Sequence, residues 1–436
     1  MRIAVAVTLL TLLAACDNKP ATPSTTAPAT TSGSTPGSTP AAASSDLPKG
    51  ETTYYFGVRE THTNITFQSK NDLTDILGAS HNVVGSATIN FAAGSGKCDL
   101  SVPVATLNSG MADRDRAMMG PTWLDVKKFP AIEFKGEKAS IVEAPNIWNV
   151  EGKFTLRGVT KDLTVRAKVR SLSSAVGQKL GFGDGPCLKV ETSFKVKLAD
   201  YGIEIPSTAV ATVQPEISIG IDIWGSTIKP AALIVKAPEE EGPIKRSFKP
   251  RVSEEGIDGT KYVFGKKPQL ATLTAESEAE LEKIMAKTST VSGVLGFDKA
   301  SGVGKVRLAI PVDELDTAIA LRNEHLRGPD WLDSAKFKTI DFESTKITKK
   351  DDKNWTVEGD FTLHGVKKSI RVDVVLREIP LELIQKAHWG ETPGLGFATR
   401  FKIKLSDYGV KIPQVALAKV NDEWTVGIDL VALQKE

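Results

Sequence analysis

Histidine, cysteine and net charge are all scarce in this chain of 436 residues, and each scarcity closes off a class of function. The five histidines, His62, His81, His325, His364 and His388, show no HExxH or HxH spacing and do not cluster with cysteine. No metal centre is therefore expected. No GxSxG motif links a strand to a helix, and no glycine-rich loop is placed to cradle a phosphate, so the usual nucleophile and nucleotide signatures are missing. Basic and acidic residues nearly cancel, at 55 against 53, which leaves no electrostatic footprint for nucleic acid. The sequence implies no cofactor and no enzyme activity.

What is present is a repeat. WNVEGKFTLRGVTKDLTV from Trp148 is answered by WTVEGDFTLHGVKKSIRV from Trp355, a displacement of 207 positions. Upstream the displacement is 208, so RDRAMMGPTWLDVKKFPAIEF from Arg114 is answered by RNEHLRGPDWLDSAKFKTIDF from Arg322. This is a duplicated domain, each copy large enough for its own core. The copies are placed at 50–226 and 260–436, joined by a linker at 227–259 whose charge changes sign between Glu239–Glu241 and Lys245–Arg251. None of the five histidines recurs at an aligned position; His364 answers Arg157 in a turn and reads as an exposed turn residue.

Apolar residues alternate with polar ones along most of each copy, the period of half-buried strands. Trp148, Val150, Gly152, Phe154 and Leu156 share one face, and Leu163, Val165, Ala167 and Val169 continue it after a connection at Gly158–Lys161. Phe194, Val196 and Leu198, then Ile217, Ile219, Ile221 and Ile223, do the same. Many antiparallel strands with one apolar face must close into a barrel or stack as a sandwich. Two short helices are expected in each copy. The first follows a capping arrangement at Ser69 and Asp72, with Leu73, Ile76 and Leu77 at helical spacing and Ser277, Leu281 and Ile284 as counterparts. The second is expected near Pro121–Lys127, carrying Trp123 (Trp331 in the second copy) as a plug for one end of the core.

The first residues have a different character. Arg2 precedes an apolar run from Ile3 to Leu13, too short to span a bilayer, and the run ends in Leu-Ala-Ala-Cys. This resembles a bacterial lipoprotein signal at 1–15, which implies cleavage before Cys16, acylation of that residue and permanent attachment to a membrane. Residues 16–49 form the lipidated cysteine and its tether; from Pro20 to Ser45 only Pro, Ala, Thr, Ser and Gly occur, a composition that cannot bury a core. The expected location is the bacterial cell envelope, on the periplasmic or extracytoplasmic face.

GPTWLDVKKFPAIEF followed by VEGKFTLRGVTKDLTV, with the same pair of segments in the second copy, resembles the signature of the YceI-like domain family. The resemblance implies two lipocalin-like antiparallel barrels of eight strands, each with an apolar pocket for a polyisoprenoid or a fatty-acid-like amphiphile. A homodimer, or pairing of the two barrels within the chain, is the implied assembly. In the first copy the expected ligand-binding residues are His62, Ile65, Phe67, Arg114, Trp123, Phe134, Phe154, Leu156, Val165, Phe194 and Val196. In the second they are Arg322, Trp331, Phe342, Phe361, Leu363, Val372, Phe401 and Ile403. The opening strand keeps Phe67 in the first copy but Ala275 in the second, so the first barrel is expected to bind better. The arginines Arg114 and Arg322 are read either as grips for an anionic headgroup or as partners of nearby backbone and carboxylate groups. With Cys16 set aside, Cys98 and Cys187 are expected to form a disulfide under the oxidising conditions of export, the alternative being two buried thiols.

Overall fold

Alternation becomes a closed wall when the last strand of a sheet finds the first. In the computed structural model, which describes residues 48–71, 73–210, 212–230, 249–298 and 301–436, this happens twice. The first barrel is built from β1 (Glu51–Phe56), β2 (Thr63–Lys70), β3 (Asp75–Ser80), β4 (Val84–Asn90), β5 (Ser95–Pro103), β6 (Ala131–Glu143), β7 (Ile147–Leu156), β8 (Val159–Leu172), β9 (Cys187–Lys197) and β10 (Glu216–Ser226). The hydrogen-bonded order runs β1-β4-β5-β6-β7-β8-β9-β10, and β10 returns to β1 through Tyr55 and Ser226. That makes eight positions around the wall, all antiparallel. The β2–β3 hairpin continues the wall along β10, with Ile65 opposite Ile221. Two helices decorate it, α1 (Ala112–Met119) and α2 (Ser174–Leu180).

The second barrel repeats this order with β11 (Thr260–Phe264), β12 (Ala271–Glu278), β13 (Lys283–Thr288), β14 (Ser292–Asp298), β15 (Val303–Pro311), β16 (Thr339–Lys349), β17 (Asn354–Leu363), β18 (Val366–Ile379), β19 (Gly394–Lys404) and β20 (Glu423–Gln434). It closes through β11 and β20, and carries α3 (Ala320–Arg327) and α4 (Leu381–Lys386). The signal at 1–15, Cys16, the tether as far as residue 47 and the linker at 231–248 lie outside the described residues.

Three local expectations are corrected. The segments at Ser69–Leu77 and Ser277–Met285 are hairpins, not helices: Ser69 pairs with Ile76, and Ser277 with Ile284. Asn71 makes the first turn, its Oδ1 accepting the backbone N–H groups of Leu73 and Thr74 at 2.8 and 2.9 Å, and Ser69 Oγ accepts the N–H of Gln214 instead of capping a helix. The proposed cap residue Asp72 is outside the described residues. The second helix lies upstream of its expected place, because Gly120, before Pro121, is extended (ψ 170) and ends α1 there. Pro121–Phe129 forms successive turns. The β7–β8 connection is the two-residue turn Arg157-Gly158, with φ of 50° and 74°, the mirror-image turn that matches strand twist. His364-Gly365 repeats it at 51° and 73°. His364 is half-buried there, its ring 4.5 Å from that of Phe337.

Leu73 and Leu281 explain why those hairpins resembled helices. Neither leucine packs into its own barrel. Leu73 enters a cluster of the second barrel with Leu270, Ile379, Ile384 and Trp389, and Leu281 enters a cluster of the first with Leu180, Phe182, Cys187 and Trp224. The two positions are equivalent in the repeat, so the barrels exchange hairpin tips about a local twofold axis. Asn108 Nδ2 donates to Asp316 Oδ2 at 3.2 Å, again between equivalent positions.

Two histidines are buried next to this junction. His62 Nε2 donates to Leu180 O at 2.9 Å, and His81 Nδ1 meets Thr63 O at 2.5 Å. Burial lowers both to a pKa of about 4, with Arg322 of the second barrel adding to the effect. Each histidine is neutral when folded and takes a proton when unfolded below about 6.5, so its contribution to stability falls as pH drops from 6.5 towards 4. A His62→Gln variant, which lacks that titration, is expected to lose less of its thermal midpoint than wild type between pH 6.5 and 4. Calorimetry across that range checks it.

Candidate functional site

Inward-facing positions of the first barrel do not fill it. A cavity of about 310 Å³ runs between its walls, lined by Ile65 and Phe67 from β2, Phe134 from β6, Phe154 and Leu156 from β7, Val165 from β8, and Phe194 and Val196 from β9. Arg114 of α1 and Trp123 border it at one end. These are ten of the eleven positions singled out for this copy. The eleventh, His62, points away towards α2, held by Leu180 O and the edge of Phe182 at 5.0 Å. It is a structural histidine. Ile217, Ile219 and Ile221 also line the cavity, as do Leu107, Ala117 and Met118. The isoleucines were visible as alternation. Nothing in the sequence singled out Leu107 or Met118, since a loop and a one-sided short helix carry no inward period.

The second barrel encloses only about 110 Å³. Phe342, Phe361, Val372 and Phe401 line that space. The other four positions expected to bind do not. Trp331, Leu363 and Ile403 pack into the cluster that seals the α3 end with Leu405, Tyr408 and Trp424, and Arg322 is tied to Glu282 at 2.5 Å. Larger side chains account for the lost volume. Val190 is answered by Phe397, Ala167 by Val374, Ala87 by Leu295 and Ile217 by Trp424. Phe397 lies against Phe264 with ring centroids 5.6 Å apart. The Phe67-to-Ala275 exchange, which would enlarge the space, is outweighed by these additions.

Polar groups are few at the first cavity. Arg114 Nε donates to Ser109 Oγ at 2.9 Å and Nη2 to Ser109 O at 3.2 Å, so the side chain is braced against its own loop. Asp115 accepts the Ser109 N–H at 2.8 Å; burial raises its carboxyl above the usual range, and the same burial lowers Arg114.

The expected disulfide is absent: Cys98 and Cys187 are free thiols. Cys98 lies on β5, between β4 and β6, and faces the cavity, whereas Cys187 opens β9, between β8 and β10, and belongs to the cluster that receives Leu281. The strands are four positions apart around the wall, on opposing sides of the barrel. Burial pushes the thiols up to about 11 and about 12, which keeps both protonated and unreactive at neutral pH. Among the described residues no group of three or more His, Cys, Asp or Glu is arranged to hold a metal ion.

Closed antiparallel walls of eight strands around an apolar hollow define a tandem lipocalin-like barrel protein. The chain belongs to the YceI-like domain family, whose model matches residues 56–224 and 268–432. Relatives include a UPF0312 protein of Vibrio vulnificus, 32% identical over 132 residues, and protein YceI of Escherichia coli, 35% identical over 122 residues. The matches cover 30% and 27% of this chain, and 66% and 59% of those relatives' lengths. Among solved structures the chain is similar to BcnA of Burkholderia cenocepacia, with 20% identity, a TM-score of 0.33, and coverage of 38% of this chain and 98% of that one. It is also similar to a polyisoprenoid binding domain from Saccharophagus degradans, with 18% identity, a TM-score of 0.30, and coverage of 40% and 99%.

The difference in filling predicts opposite responses to substitution. Val190→Phe adds a ring to existing space, and is expected to cost less than the ~1–3 kcal/mol typical of overpacking. Phe397→Ala empties a filled core and is expected to cost about 3–5 kcal/mol. Denaturant unfolding of the two variants makes the comparison.

Proposed function

We propose that this protein is a membrane-tethered binder of a long apolar or amphiphilic molecule, polyisoprenoid or fatty-acid-like, held in the first barrel without chemical change. The observation that carries the reading is the apolar cavity of about 310 Å³ inside a closed wall, within the size range of ligand sites. Each methylene-sized group desolvated there contributes about 0.8 kcal/mol before ordering costs, so chain length drives affinity. Arg114 borders the cavity and is the cation that a polar headgroup would meet there. The second barrel, filled by Phe397 and Trp424, favours a supporting role over a second binding site: a packed barrel has its outer surface to offer, as a structural or protein-interaction module.

Organic extraction of the purified protein followed by mass spectrometry is expected to release a long-chain lipid at close to one equivalent per chain, reduced by Val190→Phe. An empty extract, or two equivalents unaffected by that substitution, would overturn the reading.

Attachment follows from Cys16, and the cell envelope is the proposed location. A Cys16→Ser variant is expected to lose its acyl groups and leave the detergent phase in a partition assay; retention there with an acylated N-terminus would refute the anchor.

A further inference from the structure

The end of the first cavity is held in place by the second barrel. Lys287, at the end of β13, is only 5% exposed, and its Nζ donates to Asn108 O of the first barrel at 2.5 Å. Its stem runs under Gly110: a Cβ built there would come within 3.1 Å of Lys287 Cε. Gly110 has φ of 76°, and its N–H is held by Asn108 Oδ1. The next residues brace the cavity. Ser109 receives Arg114, while Leu107, Arg114, Ala117 and Met118 line the hollow. Residues 107–118 are therefore cavity wall on one side and a bearing surface for Lys287 on the other.

The reverse contact does not exist. Lys287 is answered in the first copy by Ala79, which has nothing to donate. The equivalents of the four wall residues, at 315, 322, 325 and 326, take no part in lining the second cavity. Carboxylates near the ammonium come from both barrels, Asp316 from its own and Asp115 from the other, with Arg114 the opposing cation. Asn108 and Asn323 hold the Asp316 carboxylate at 3.2 and 2.7 Å. This one-sided arrangement is what a division of labour after duplication would leave: one barrel hollow, the other solid and bearing on the hollow one's wall.

We propose that Lys287 is a positioning residue for ligand exchange, fixing the 107–118 segment so that the second barrel governs how fast the first takes up and releases its ligand. The proposal rests on the ligand reading above. The test uses the full chain and two variants. Lys287→Met keeps the stem against Gly110 and removes the bond to Asn108 O. Lys287→Met combined with Asp115→Asn also removes one of the two carboxylates near the lysine's ammonium, while keeping an acceptor for the Ser109 N–H, as Asn323 does for Thr317 at 2.7 Å.

A fluorescent long-chain prenyl alcohol is loaded, and its release is timed by stopped flow against unlabelled competitor. Hydrogen exchange of 107–118 is followed in parallel without ligand. Release at least tenfold faster and loss of protection at 107–118 are expected in both variants, including the double variant once its unfolding midpoint has returned towards wild type. Protection in β7 to β9 should be unchanged. Wild-type release and protection in a double variant of recovered stability would overturn the assignment, as would loss of protection throughout the first barrel. A wild-type protein that takes up no prenyl alcohol would sink the ligand reading alone, because the exchange measurement still decides whether Lys287 fixes this segment.

Discussion

An eight-stranded barrel has an interior just wide enough to be filled by its own side chains, and that limit governs everything else about this protein. Whether such a barrel is a vessel or a solid depends on a few inward positions. With Val190, Ala167 and Ala87 the first barrel stays hollow; with Phe397, Val374 and Leu295 the second is nearly solid, on the same backbone plan. The strands, their order and their closure are shared by both copies, so the difference in filling lies in side-chain volume.

That limit also explains how much was legible. Period-two alternation from Trp148 to Leu156 identifies an inward face without reference to any structure, and most positions named on such faces do line a cavity. Alternation is silent about volume. Leu363 and Ile403 have the right spacing but belong to a sealed end, and only a count of the bulk around them tells a lining from a plug. The helix expected at Ser69–Leu77 failed for a different reason. Leu73 answers to the other barrel's core, so a pattern read within one copy assigned it to a helix face that does not exist. The pairing of Cys98 with Cys187 had no geometric content at all; two cysteines in one copy and an oxidising compartment do not place them on the same side of a wall. Leu107 and Met118 were invisible because residues outside regular strands acquire their direction only from the closed fold.

The junction between barrels is built of two unlike layers. Reciprocal insertion of Leu73 and Leu281 is apolar and nearly symmetric, each tip completing a cluster that its own barrel cannot reach. The polar layer is lopsided: Asn108 faces Asp316, Asp115 corresponds to Asn323, and Lys287 has only Ala79 as its equivalent. Burial of Arg322 with Glu282 adds an ion pair whose desolvation is costly and whose disruption would leave a charge stranded. The apolar layer contributes attraction; the polar layer makes the two sides of the junction different.

Ala79 opposite Lys287 has a consequence in the language of symmetry. In a dimer of identical subunits every substitution is made twice, and a lysine near the axis would confront its own copy across it. Joining the two barrels in one chain lifts that restriction, since each position near the axis is written independently. A residue of one charge can then be introduced on a single side and answered on the other, a change closed to any assembly that must repeat itself.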